Sequence, residues 1–305
     1  MSAVDVPPSR RRRSPSGSGA RRWGLGVLGI LLLAGAWELY KALGPAEGVL
    51  VGTARILPRT TDLAMPHVWD MIARLAEPVT GGRDALPLWM VVGLGAVTTL
   101  GIAAAGWLIG VVVGLGFALI MQRWRLAEWS LLPWIVVSQT VPLIAFAPLV
   151  RSWGSKIEIG AFQWEGWMSV AVIASYLAFF PVAIGALRGL SSPDLIHVDL
   201  LRSYAAGWWR TLLSLRMPAS VPYLLPALRL AAANAVVGAV VAEVSTGLQG
   251  GIGRLLIQFA GQASGDPAKP WGPIFGSVLL GLVAAGSVAA LGLVLRRYRR
   301  AEVVA

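Results

Sequence analysis

Few residues in this chain are equipped for bond-making chemistry, and they do not gather in one place. There is no cysteine, and the two histidines are His67 and His197. Disulfides and thiolate chemistry are therefore excluded, and no His/Cys set has the spacing of a metal site. The carboxylates are scattered, whereas catalysis needs an acid, a base or a nucleophile held together. No G-x-x-x-x-G-K-[ST] phosphate loop occurs, so the chain is not itself an ATPase of that type. The one acidic group in an unusual setting is Glu243, near the end of a long apolar run. At a bilayer centre a bare carboxylate costs on the order of 3 kcal/mol, so such a group faces the protein interior or a water-filled cavity and finds a donor. Two roles are open to it: a gate or path residue that meets a moving solute, or a hydrogen-bonding staple at a helix end. No catalytic residue, metal or cofactor is expected.

The elements that position Glu243 are membrane helices. Of the 305 residues, 56% are hydrophobic and 13% charged, with a mean hydropathy of +0.68. A soluble domain of this size cannot hide so much apolar surface, while a bilayer accepts it. A bilayer core takes about 20 apolar residues per helix. The runs that qualify are Trp23–Ala42, Thr99–Met121, Ser130–Val150, Trp167–Leu187, Val221–Glu243 and Pro273–Leu295. The expected fold is all-α and polytopic, with six transmembrane helices. Residues 1–22 read as a disordered basic tail, 23–300 as one transmembrane domain, and 301–305 as a C-terminal tail. The first run has the flanks of a signal peptide but no cleavage site after it, so it is expected to stay as a helix. An amphipathic interfacial helix is expected over Leu57–Ala76.

The net charge of +11 lies in short basic segments between apolar runs, the pattern of topology signals rather than of a nucleic-acid face. Arg10–Arg13, Arg21 and Arg22 precede the first run, and Arg296, Arg297, Arg299 and Arg300 follow the last. Both ends then favour the cytoplasm, which an even number of crossings satisfies. Gly106, Gly110 and Gly114 recur on one helix face and predict close packing against a neighbour. Arg229 lies fourteen residues before Glu243, about 21 Å along a helix. It is too far for a direct pair and is expected to snorkel to the cytoplasmic side. Asn234, mid-helix, is placed to bridge helices. Pro142 and Pro148 interrupt the third run and predict a kink lining a cavity. Gln139 and Thr140 beside that kink are candidates for the translocation path, together with Pro142 and Glu243.

The polar gap 188–220 is more structured than a connector requires. Ser192 is placed to cap a helix starting at Pro193, with Asp194 in its first turn. A second short helix is expected to set Trp208, Trp209, Leu212 and Leu213 on one face, opposite Arg210, Thr211 and Ser214. Such a loop should bury a face against something.

The run Asp199-Leu200-Leu201-Arg202-Ser203-Tyr204-Ala205, followed by Leu215-Arg216-Met217-Pro218, resembles the "EAA" loop of ABC importer permeases. The spacing matches throughout. Asp199 stands for the motif's glutamate, Leu200 and Leu201 for its alanines, Ala205 for its glycine and Met217 for its leucine, and Pro218 is unchanged. With Ala205 at the glycine position, Gly207 is the candidate flexible point. Gln139–Leu149 is similar to the third-span signature of the nitrate, sulfonate and taurine branch. Val241-Ala242-Glu243 with Gly250-Gly251-Ile252-Gly253 is similar to that branch's fifth-span ending. The resemblance covers roughly Trp37 to Arg297.

It implies a type I ABC importer permease fold in the inner or plasma membrane. Two permease subunits, a second copy or a paralogue, would form the pathway. Cytosolic ATPases would grip the Asp199–Pro218 loop, and an extracytoplasmic binding protein would deliver a small solute. The solute is nitrate-, sulfonate- or taurine-like, or a pyrimidine or flavin vitamin precursor. The competing classes are an ATP-independent secondary transporter or channel, and a membrane enzyme. The first calls for acidic or histidine relays or paired broken helices, and the second for a catalytic cluster.

Overall fold

A computed structural model describes residues 18–51, 54–82 and 84–294. The basic tail predicted over 1–22 lies outside these residues, except that helix α1 (Ser18–Leu43) already begins within it. The arginines beyond position 294 also lie outside them.

The chain divides into two compact units, residues 1–70 and 71–305. In the first, α1 is followed by a short antiparallel pair, β1 (Val49–Val51) and β2 (Ala54–Leu57). The return segment is tied to the end of α1 by polar contacts. Glu38 accepts from the Val68 N–H at 2.7 Å and meets His67 Nδ1 at 2.7 Å. Trp37 Nε1 donates to the Pro66 carbonyl, and Lys41 pairs with Asp62, holding the Asp62 carboxyl below the usual carboxylate range. His67 is thus a partner of Glu38. The interfacial helix expected over Leu57–Ala76 is corrected here: only α2 (Val68–Arg74) is helical. Pro58 and Pro66 disfavour helix at the residue before each and remove two backbone donors.

The second unit is a helical bundle. Helix α3 runs unbroken from Leu88 to Arg123, 36 residues, or about 54 Å. The long uncharged stretch around the second predicted span is therefore one helix. The glycine row does what its spacing predicts. A Cβ on Gly106 would lie 2.5 Å from that of Ala174, and one on Gly110 would lie 2.7 Å from that of Ala178. Both alanines belong to α6 (Gly166–Leu190) and are fully buried. Small residues on both helices let the backbones approach closely, and dispersion replaces the hydrophobic drive that lipid cannot supply.

The third predicted span is not one kinked helix. It divides into α4 (Arg125–Ser138) and α5 (Leu143–Gly154), bent by 102° at residues 139–142. Pro142 sits at the break, where it starts the new helix without needing a donor, whereas Pro148 lies inside an unbroken α5. A small hairpin, β3 (Glu158–Ile159) with β4 (Phe162–Gln163), leads into α6. Among the described residues, five helices are long and apolar enough to cross a membrane, and six spans result if the bent pair counts as one.

Helix α7 (Leu195–Ser203) is followed by a continuous helix over Trp208–Thr246. The latter comprises α8 (Trp208–Thr211), one π turn (Leu212–Arg216) and α9 (Met217–Thr246). The π turn falls just before Pro218, whose ring would clash with the Ser214 carbonyl in a regular helix. The bundle closes with α10 (Ile252–Ala260) and α11 (Trp271–Val294).

Candidate functional site

The predicted functional residues fall at three places. At the first, the loop between α6 and α9, the base is clamped shut. Arg216 Nη1 donates to the Leu190 carbonyl at 2.8 Å, and Ser192 Oγ reaches the carbonyls of Gly189 and Ala219. Gly189 packs directly on Ser220, leaving no room for a Cβ. Trp208 Nε1 donates to Gln122 Oε1 at 3.2 Å, tying the loop's second half to the end of α3.

Several details of this loop differ from expectation. The first helix begins at Leu195, with Asp194 at the cap position and no side-chain capping bond; Ser192 is spent on the clamp instead. Trp208 and Leu212 turn inward with Thr211, while Trp209 and Leu213 are exposed. The four do not share one face, because the helix continues into α9 and packs with the bundle rather than floating as a separate amphipathic piece. The turn is made at Ala205, whose φ is 54°, while Gly207 keeps an ordinary extended φ of −66°. The Ala206 N–H returns to the Leu201 carbonyl and the Ala205 N–H to that of Arg202. This closes the end of α7 with a left-handed residue, normally glycine. Alanine therefore carries, at the motif's glycine position, a strain that Gly207 does not relieve.

Within the clamp, α7 buries Val198 alone and presents Leu195 (78% exposed), Ile196 (74%) and Leu200, with Tyr204 just after it. Asp199 is exposed and, among the described residues, pairs only with Arg202 one turn on, at 3.2 Å. Leu201 is half-buried, and Leu215, Met217 and Pro218 lead into α9.

At the second place, the α4–α5 bend, Thr140 and Pro142 are exposed and Gln139 half-buried. Thr140 Oγ1 donates to the Val137 carbonyl, and Gln139 Nε2 to Ser138 Oγ. The Tyr176 hydroxyl of α6 donates to the Ser138 carbonyl, holding the broken helix end against its neighbour. The freed backbone groups are thus met by side chains close to the break.

The third place is Glu243, which is fully buried. Its carboxylate accepts from Thr99 Oγ1 at 2.9 and 3.0 Å and from the Gly253 N–H at 2.8 Å. Thr99 in turn accepts from the Ile252 N–H at 2.9 Å. One carboxylate and one hydroxyl therefore satisfy the first donors of α10 and lock it to α3 and α9. A Cβ on Gly251 would lie 2.3 Å from the carboxylate atoms, and one on Gly253 2.5 Å from the Val240 carbonyl. The two glycines let backbone descend onto the acid. Thr99 was not singled out from sequence; a lone hydroxyl in an apolar run gives no signal until its partner is known. Asn234 bridges helices as expected, donating to the Leu177 carbonyl at 3.3 Å. The Arg229 tip lies against α11 beside Gly292.

Helices of membrane length, one of them broken, with a clamped loop and a buried acid holding a short helix, define a polytopic membrane protein. Residues 85–300 match the family described as the binding-protein-dependent transport system inner membrane component, and the chain belongs to it. It is similar to the formylaminopyrimidine transport permease protein of Halalkalibacterium halodurans, 30% identical over 208 residues that cover 67% of this chain and 77% of the relative. The nitrate import permease protein of Leptolyngbya laminosa is 24% identical over 256 residues, covering 81% and 82% of the two chains. The riboflavin transport system permease protein of Chloroflexus aurantiacus is 30% identical over 134 residues, covering 44% and 46%. The chain is a transmembrane permease subunit of an ABC importer of the nitrate and sulfonate branch, with the type I importer fold.

Proposed function

We propose that the clamped loop Pro193–Pro218 is the docking element for a separate cytosolic ATPase, that both termini lie in the cytoplasm, and that nucleotide hydrolysis resides in that partner. The observation carrying this is α7. A short helix fixed at its base leaves Ile196, Leu200 and Tyr204 exposed at four-residue spacing, and a row of large apolar side chains along one helix side is the mark of an interaction site. Asp199 stands at its edge to set orientation, since charged groups at an interface rim contribute specificity more than affinity. A second permease copy or a paralogue completes the pathway, and an extracytoplasmic binding protein delivers the solute. The relatives' names favour a small organic vitamin precursor over an inorganic ion, because the formylaminopyrimidine relative aligns with a larger share of identical residues than the nitrate one.

Gln139, Thr140 and Pro142 at the α4–α5 bend are the proposed path residues, since broken backbone at membrane depth is tolerated where it lines a cavity. Of the two roles open to Glu243, we favour the staple: both of its oxygens accept from donors within the chain. The deciding experiment uses the absence of native cysteine. A cysteine introduced at Ala206 or Gly207 should be labelled freely in the permease alone and be protected once the ATPase is present. Labelling that the ATPase leaves unchanged would refute the docking reading.

A further inference from the structure

Where α3 ends, Leu119, Ile120 and Arg123 face Trp124, Trp208 and Trp209 across a cleft of about 260 Å³. That is far larger than one water needs. The Arg123 guanidinium lies 5.6 Å from the Trp208 ring centroid, and that of Arg125 lies 5.6 Å from Trp129. Stacking fixes both cations yet leaves their N–H edges unused: among the described residues neither guanidinium forms a hydrogen bond or an ion pair. Glu128, the nearest acid along the chain, pairs with neither.

The surroundings place this cleft at a membrane boundary. Trp124, Trp129 and Trp209 are 57%, 68% and 67% exposed, and aromatic rings with a polar edge collect at the headgroup level. From the cleft an apolar stripe runs back along α3 through Ile120, Gly116, Val113, Val112 and Ile109, with the four large side chains exposed. At Gly116 a Cβ would meet nothing within 4 Å, so the stripe has an open groove at its centre. An unpaired cation lining the cleft, a second one two residues further along the chain, and an apolar stripe running back along α3 match one kind of molecule: a negative headgroup carried on an acyl chain.

We propose that this cleft is a binding site for an anionic phospholipid, its phosphate on Arg123 and Arg125 and one acyl chain along the Ile109–Ile120 face of α3. The cleft shares Trp208 and Trp209 with the loop assigned to docking, but lipid retention is read on the permease alone, so its outcome does not turn on the docking reading.

The test uses the purified full-length chain, delipidated in detergent and titrated with phosphatidylglycerol or phosphatidylcholine, with bound lipid counted by native mass spectrometry. Phosphatidylglycerol should be retained about tenfold more strongly than phosphatidylcholine, and the Arg123→Gln/Arg125→Gln variant should lose that preference. Arg123→Lys/Arg125→Lys should keep most of it, and Arg254→Gln on α10 should leave it unchanged. Equal retention of the two lipids by the wild type would overturn the proposal, whatever the variants do. So would unchanged preference in the double glutamine variant. Displacement by excess inorganic phosphate would show a plain anion site and overturn the lipid assignment. A disulfide formed between copies through Gly116→Cys would show a protein interface in its place, with the same consequence.

Discussion

The two ends of α9 solve opposite problems. At the Glu243 end the chain buries a carboxylate and supplies every partner itself, from Thr99 and the Gly253 N–H. At the Met217 end it clamps a loop and then leaves large apolar side chains of α7 outside. A buried charge costs several kcal/mol unless paired, so it is met within the fold; an exposed leucine costs far less and can wait for a partner. The contrast separates what one chain completes alone from what it presents to another.

That comparison can be broken first at Glu243. Glu243→Ala strands the Gly253 N–H and the Thr99 hydroxyl and opens a cavity. We expect a loss on the order of 3 kcal/mol, read as a marked fall in the thermal midpoint of the detergent-solubilised chain. A midpoint within a degree of wild type would mean that the staple is ornamental. Gly253→Ala forces a methyl to within 2.5 Å of the Val240 carbonyl and should cost about 1–3 kcal/mol by overpacking, seen as new protease cleavage around α10. Thr99→Val keeps the volume but removes the hydroxyl that serves both Glu243 and Ile252, for a loss of about 1–3 kcal/mol. If Thr99→Val unfolds at the wild-type temperature, the hydroxyl is not part of the lock.

The other end should respond in the reverse sense. Ile196→Asp and Asp199→Lys alter exposed positions, so stability should stay within about 0.5 kcal/mol while co-purification of the ATPase and solute uptake are lost. Full uptake by Asp199→Lys with normal expression would refute the docking assignment. The smallest effect is Ala205→Gly. Removing a Cβ from a residue at φ 54° relieves left-handed strain and should stabilise the loop by about 0.5–1 kcal/mol, net of the added freedom of the unfolded chain. Slower hydrogen exchange at the Ala206 amide would register it, and faster exchange would count against the strain.

Much of this was legible in the chain. Apolar runs of membrane length located the crossings, and the four-residue recurrence of Gly106, Gly110 and Gly114 announced the α3–α6 contact, because helical periodicity is a local property. The loop's motif spacing was visible too. Its turn was not: alanine ordinarily avoids the left-handed backbone that Ala205 adopts where the end of α7 closes on the Leu201 and Arg202 carbonyls, so composition pointed to Gly207. The interfacial helix over Leu57–Ala76 misled because amphipathic composition outweighed Pro58 and Pro66, and because the ties from Lys41 and Glu38 are long-range.

Sequence by itself therefore determined that this is a polytopic helical membrane chain, and where the loop proposed for docking lies, since hydropathy and spacing are written residue by residue. Tertiary structure alone decided that Glu243 is sealed by Thr99 and Gly253, that the third crossing breaks by 102°, and that α7 keeps its apolar side outward. Each of those depends on which distant backbone group arrives within hydrogen-bonding reach, and that is fixed only when the helices pack.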